Sequence, residues 1–160
     1  MNLTVLPTEI YPNMIVYRIA KEEYSTALKA SGYAARWNHK GSFVIYTAQS
    51  RSLACLENLV HRSGEGNNAL YKVMLIEIPD SWEIEIIDEH DLKPGWQKIE
   101  NYAYCQNIGA AWLSAGEKAI LKVPSVLIKN EFNFIINAGH PDFKKIKLTG
   151  AEDFIFDQRF

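Results

Sequence analysis

Apolar and polar positions divide the chain into short, mostly extended segments. Residues 14–19 are apolar and β-branched and predict a strand, as do residues 42–47 after Gly41. Ser50 offers a helix cap, and Leu53, Leu56, Leu59 and Val60 then recur at helical spacing up to a stop at Ser63 and Gly64. Residues 70–78 form a long strand pattern closed by Pro79 and Asp80, and residues 82–87 alternate as another strand. Residues 91–96, with Pro94 and Gly95, read as a loop, and residues 102–115 as a second helix stopped by Gly116. Short strands are expected at 120–123, 126–128, 134–136 and 146–148, with a turn at 137–141. Strands outnumber helices without alternating with them, which points to an α+β fold rather than a doubly wound sheet. Residues 1–13 stand outside this pattern as an N-terminal arm, leaving 14–160 as a single domain.

Composition narrows the classes. The 160 residues carry 17 Lys+Arg against 19 Asp+Glu, a formal net charge of -2. A protein that lives on a phosphate backbone draws its affinity from a basic face, so direct nucleic-acid binding is not expected. Charges interrupt every apolar stretch short of the roughly 20 residues a bilayer requires, and the first residues lack a secretory pattern, so no membrane role is expected. Cys55 and Cys105 do not form a disulfide framework, and the chain reads as cytoplasmic. His39, His61, His90 and His140 are scattered with no metal-ligand spacing, so no metal is expected. There is no dinucleotide-binding glycine fingerprint and no Walker loop, and Gly64 to Gly66 reads as an acidic turn.

The densest polar cluster is the loop from Gly32 to Gly41, holding Arg36, Trp37, Asn38, His39 and Lys40. An arginine fork suits phosphate and a tryptophan suits stacking, but a flexible surface loop with one anchoring Trp has the same composition. Glu57 falls at the border of the apolar stripe of its helix, away from an outward face with Asn58 and Arg62. It either pairs with a neighbouring cation or, beside Arg18 or Arg36, marks a site. Ser125 follows Pro124 without a nucleophile elbow, so it orients a ligand or satisfies backbone. Tyr102, Tyr104 and Trp112 lie at helical spacing and read as core or interface.

Taken together, these strings resemble the RES domain, the toxin half of bacterial RES–Xre toxin–antitoxin pairs. The resemblance rests on Gly32, Ala34, Ala35, Arg36, Trp37, Asn38 and Gly41, then Tyr46, Ser50 and Glu57. It continues through Gly109 and Trp112, Pro124 and Ser125, Asn133, Phe134 and Asn137, and on to His140, Pro141, Asp142 and Arg159. Ala138 and Gly139 depart from it where the family favours a proline, as does Phe160 in place of leucine.

The resemblance implies an ADP-ribosyltransferase-like fold of the diphtheria-toxin type, a split β-sheet with flanking helices. It implies an enzyme that depletes NAD by cleaving the nicotinamide–ribose bond, through hydrolysis or phosphorolysis. NAD is then a consumed substrate, inorganic phosphate a candidate acceptor, and an Xre-type helix-turn-helix protein the antitoxin. By motif, the catalytic residues are Glu57, Arg36 and Tyr46, and the NAD-binding residues are Arg18, Arg36, Tyr46 and Ser125. Glu57 would stabilise the oxocarbenium-like centre, the two arginines would neutralise phosphates, Tyr46 would stack on nicotinamide, and Ser125 would hydrogen-bond carboxamide or ribose. Transfer of ADP-ribose to a protein and a non-catalytic binding module are the alternatives.

Overall fold

The structure, a computed structural model, describes residues 13–61, 69–79 and 84–160. The helix stop at Ser63 and Gly64, the turn at Gly64 to Gly66, Asp80, the first residues of the strand at 82–87 and nearly all of the N-terminal arm lie outside the described residues.

Among the described residues seven strands form one mixed sheet: β1 (Met14–Lys21), β2 (Val44–Ala48), β3 (Tyr71–Ile78), β4 (Ile84–Ile86), β5 (Ile120–Pro124), β6 (Phe132–Asn137) and β7 (Lys147–Phe154). Their order is β4-β5-β6-β2-β1-β3-β7, antiparallel throughout except for the parallel pair β4–β5. Two α-helices among the described residues complete the α+β fold, α1 (Arg51–His61) and α2 (Tyr102–Ala115). Ser50 caps α1 as expected, its Oγ accepting from Leu53 N at 3.1 Å. Gly116 ends α2 in the left-handed conformation at φ 63°.

The sheet is split. β1 and β3 pair over their full length, whereas β1 and β2 share the single register pair Tyr17↔Ala48. The strands therefore diverge from that point and open a gap in the middle of the sheet. On the face bearing Val44, Tyr46 and Ala48, α2 packs over one half around Trp112, Leu121, Val123 and Ile135. On the other half α1 packs through Leu53 and Ala54 onto Ile19, Tyr71 and Val73. Tyr46 lies between these two clusters, where the gap becomes a cleft. The opposite face is closed by a core that crosses the split, with Val16, Ile45, Ile76 and Ile136.

Three expectations change. Residues 126–128 are not a strand but the turn joining β5 to β6. The Ser125 hydroxyl oxygen accepts from Leu127 N and Ile128 N at 3.0 and 3.1 Å, so these donors need no ladder. Second, the strand expected at 146–148 runs to Phe154, because its polar residues face solvent along β3 at the sheet edge. Third, α1 is rotated about its axis relative to the expected stripe. Val60 stands 59% exposed, and the outward-assigned Asn58 turns in and donates to the Ile19 carbonyl at 3.1 Å.

Candidate active site

A cleft of about 560 Å³ occupies the split, within the size range of small-molecule sites. Its floor is Tyr17, Arg18 and Ile19 from β1 with Tyr46, Thr47 and Ala48 from β2. α1 supplies one wall at helical spacing, with Ala54, Glu57, Asn58 and His61. The loop with Arg36 and the first residue of α2, Tyr102, supply the other, and Val126 and Leu127 of the β5–β6 turn close one end.

Arg18 lies where the strands part. Its Nη1 donates to the Tyr46 carbonyl at 2.9 Å, a bond from a side chain where the backbone ladder has ended. Burial lowers its pKa, although an arginine remains charged at any ordinary pH. Arg36 donates Nη1 to the Trp96 carbonyl at 3.2 Å and holds its guanidinium 5.1 Å from the Tyr102 ring centroid. Among the described residues no carboxylate lies within ion-pair distance of either arginine. Two guanidinium groups in one partly desolvated cleft, without ion-pair partners among the described residues, have the chemistry to take an anion.

Glu57 is the one carboxylate among the described residues of the lining. Its partner is neither arginine but His61, one turn on, at 3.6 Å from Nε2 to Oε2. Contact with Glu57 raises the pKa of His61, and the positive charges of Arg18 and Arg36 pull it the other way. His61 is a cleft residue that sequence reasoning passed over as one of four scattered histidines. Its position one helical turn after Glu57 was the available signal.

Tyr46 presents its ring to the cleft while its hydroxyl is fully engaged. It donates to Asn38 Oδ1 at 2.6 Å and accepts from Trp37 N at 3.0 Å. Burial pushes this phenol far above its ordinary pKa, so it remains an O–H. The loop from Gly32 to Gly41 is thereby tied to β2. The buried Asn38 donates Nδ2 to the Tyr33 and His39 carbonyls at 2.9 and 3.2 Å, and Gly32 and Gly41 supply positive φ at the two ends. The loop is thus an organised wall rather than a flexible surface loop with one anchoring Trp. Tyr46→Phe strands the buried Trp37 N–H and Asn38 Oδ1, a loss of about 1–3 kcal/mol each. The melting temperature is expected to fall by several degrees; an unchanged melt would show that Tyr46 does not hold the loop.

Ser125 is buried and absent from the cleft lining. Its hydroxyl oxygen shapes the turn that places Val126 and Leu127 on the cleft. Cys105 is buried, and burial raises its thiol pKa, so it is not poised as a nucleophile. Among the described residues no group of three or more His, Cys, Asp or Glu side chains could hold a metal ion. No helix among them is long and apolar enough to cross a membrane.

Comparison with known proteins places this geometry. The RES domain matches residues 15–157. A Toxin Res of Yersinia enterocolitica is 35% identical over 151 residues, covering 91% of this chain and 99% of the relative. The Prs ADP-ribosylating toxin of a Sphingobium species is 35% identical over 126 residues, covering 78% of each. Among solved structures, the M. tuberculosis MbcT–MbcA toxin–antitoxin complex contains a chain of the same fold. The TM-score is 0.72 at 16% identity, over 89% of this chain and 85% of that one.

Proposed function

The chain belongs to the RES domain family, and from that premise we propose that it is the toxin of a toxin–antitoxin pair, cleaving the nicotinamide–ribose bond of NAD in the split-sheet cleft. The observation that carries this reading is the charge arrangement. Among the described residues, two guanidinium groups without carboxylate partners share the cleft with a single glutamate, on a floor with an aromatic ring. NAD has the matching pattern of an anionic pyrophosphate and a cationic nicotinamide ring.

In this reading Arg18 and Arg36 take the pyrophosphate, and Tyr46 offers its ring face to the nicotinamide. The bond from ribose C1′ to the ring nitrogen breaks with its electron pair leaving on nicotinamide, which departs neutral. C1′ passes through an oxocarbenium-like state that the Glu57 carboxylate stabilises. Water or phosphate then bonds to C1′ through oxygen, and water yields its proton to Glu57 and on to solvent. Ser125 acts on the NAD-binding end through the turn that carries Val126 and Leu127. Inhibition falls to an Xre-type antitoxin that covers the cleft.

The purified chain, freed of any antitoxin, is expected to remove NAD and release an equimolar amount of nicotinamide by chromatography. With water the other product is ADP-ribose, and with added phosphate its 1-phosphate ester. NAD left intact under both conditions would overturn the reading. A second reading, transfer of ADP-ribose to a protein, is favoured by the name of the Sphingobium relative. It predicts a labelled protein band when labelled NAD is incubated with cell extract.

A further inference from the structure

One stripe of α2 meets the middle of the Arg36 loop, from Ala35 to Asn38. Gln106 Nε2 donates to the carbonyls of Ala35 and Asn38 at 3.1 and 3.2 Å. Gly109 leaves room for the Trp37 carbonyl, and Tyr102, one turn before Gln106, faces the Arg36 guanidinium. Tyr102 therefore occupies the position on this stripe that meets a charged side chain, whereas its neighbours on the stripe meet backbone.

We propose that Tyr102 is a positioning residue that pre-sets the Arg36 guanidinium for an anionic ligand. The inference rests on the reading of the cleft as an NAD site and adds a residue to it. Arg36 has a long, rotatable stem, and the described residues give it no carboxylate to fix its direction. It is held instead by the Trp96 carbonyl, the Cys105 side chain and the Tyr102 ring face, contacts that restrain the group without neutralising it. An arginine held in this way keeps its full charge for a phosphate and loses less freedom when it binds. Tyr102 also lines the cleft beside Arg36, so the restrained group remains on the ligand's side.

The test is a double-mutant cycle on the full chain with Tyr102→Leu, Tyr102→Phe, Arg36→Ala and Arg36→Ala/Tyr102→Leu. KM and kcat for NAD, pyrophosphate binding by calorimetry and the melting temperature are measured for each. Tyr102→Leu keeps bulk but removes the ring face, so KM and the pyrophosphate Kd are expected to rise roughly two- to thirtyfold with kcat little changed. Tyr102→Phe restores both values, and in the Arg36→Ala background the Leu change has no further effect. An equal loss with and without Arg36, or no rescue by Phe, would overturn the proposal. If the parent leaves NAD intact but binds pyrophosphate, the enzymatic reading fails, while the cycle in pyrophosphate still decides the role of Tyr102. If pyrophosphate does not bind either, both fall.

Discussion

Gly109→Ala is expected to be the most damaging single substitution in the described structure. A Cβ at this position would lie 1.6 Å from the Trp37 carbonyl oxygen and 2.7 Å from its carbon. Those atoms are backbone, so no rotamer change relieves the overlap; α2 or the loop must move as a body. The loop cannot yield cheaply, because Tyr46, Gln106 and the buried Asn38 hold it in place. A cost of about 3 kcal/mol or more is expected, or roughly 10 °C in melting temperature for a chain of this size. The displaced loop carries Arg36, so affinity for a phosphate-bearing ligand should fall with stability. Thermal melts and pyrophosphate titration of the variant check both. A variant melting within a degree or two of the parent would mean that α2 and the loop are not in the described contact.

Glu57→Gln is expected to have the largest effect on chemistry with the smallest effect on folding. The substitution keeps size and hydrogen-bonding reach and removes only the charge. Glu57 is partly exposed at the cleft, and its contact with the largely exposed His61 contributes little to stability. Melting should therefore be nearly unchanged. Removing a preorganised electrostatic contact to a developing charge typically lowers kcat by about 10²–10³, and that loss in NAD cleavage is expected here. The change should fall on kcat with KM largely kept, because in the proposed mechanism the oxocarbenium-like charge beside Glu57 develops only on the way to the transition state. NAD cleavage at the parent rate by Glu57→Gln would remove Glu57 from the proposed chemistry.

Much of the fold was legible along the chain. The strands at β1, β3, β5 and β6 and both helices announce themselves by period and by punctuation, as Ser50 and Gly116 do at their caps and stops. Two of the strand expectations were misled by local chemistry. The apolar residues 126–128 read as a strand, but a single buried serine satisfies their backbone donors. The edge strand β7 was read short, because half of its pattern faces water and its length is set by β3. The candidate residues Arg18, Arg36, Tyr46 and Glu57 do converge on one cleft. Ser125 stands just behind it, and His61 and Tyr102 join it unannounced.

What the sequence determined by itself is therefore the α+β class, the family resemblance and the chemical types available. The class and the chemical types follow from periodicity and composition, and the resemblance from short motifs in order along the chain; each is read over a few residues at a time. Which groups face one another was decided only by the tertiary structure. The single pair between β1 and β2 opens the sheet, and the gap turns Arg18 from a strand residue into part of a cleft. Residues as distant along the chain as Arg36 and Tyr102 meet because Gly109 lets a helix rest on a loop backbone. The near-neutral net charge gave no hint of this, because two arginines left without an ion-pair partner among the described residues are a feature of neighbours in space, which a sum over the chain does not record.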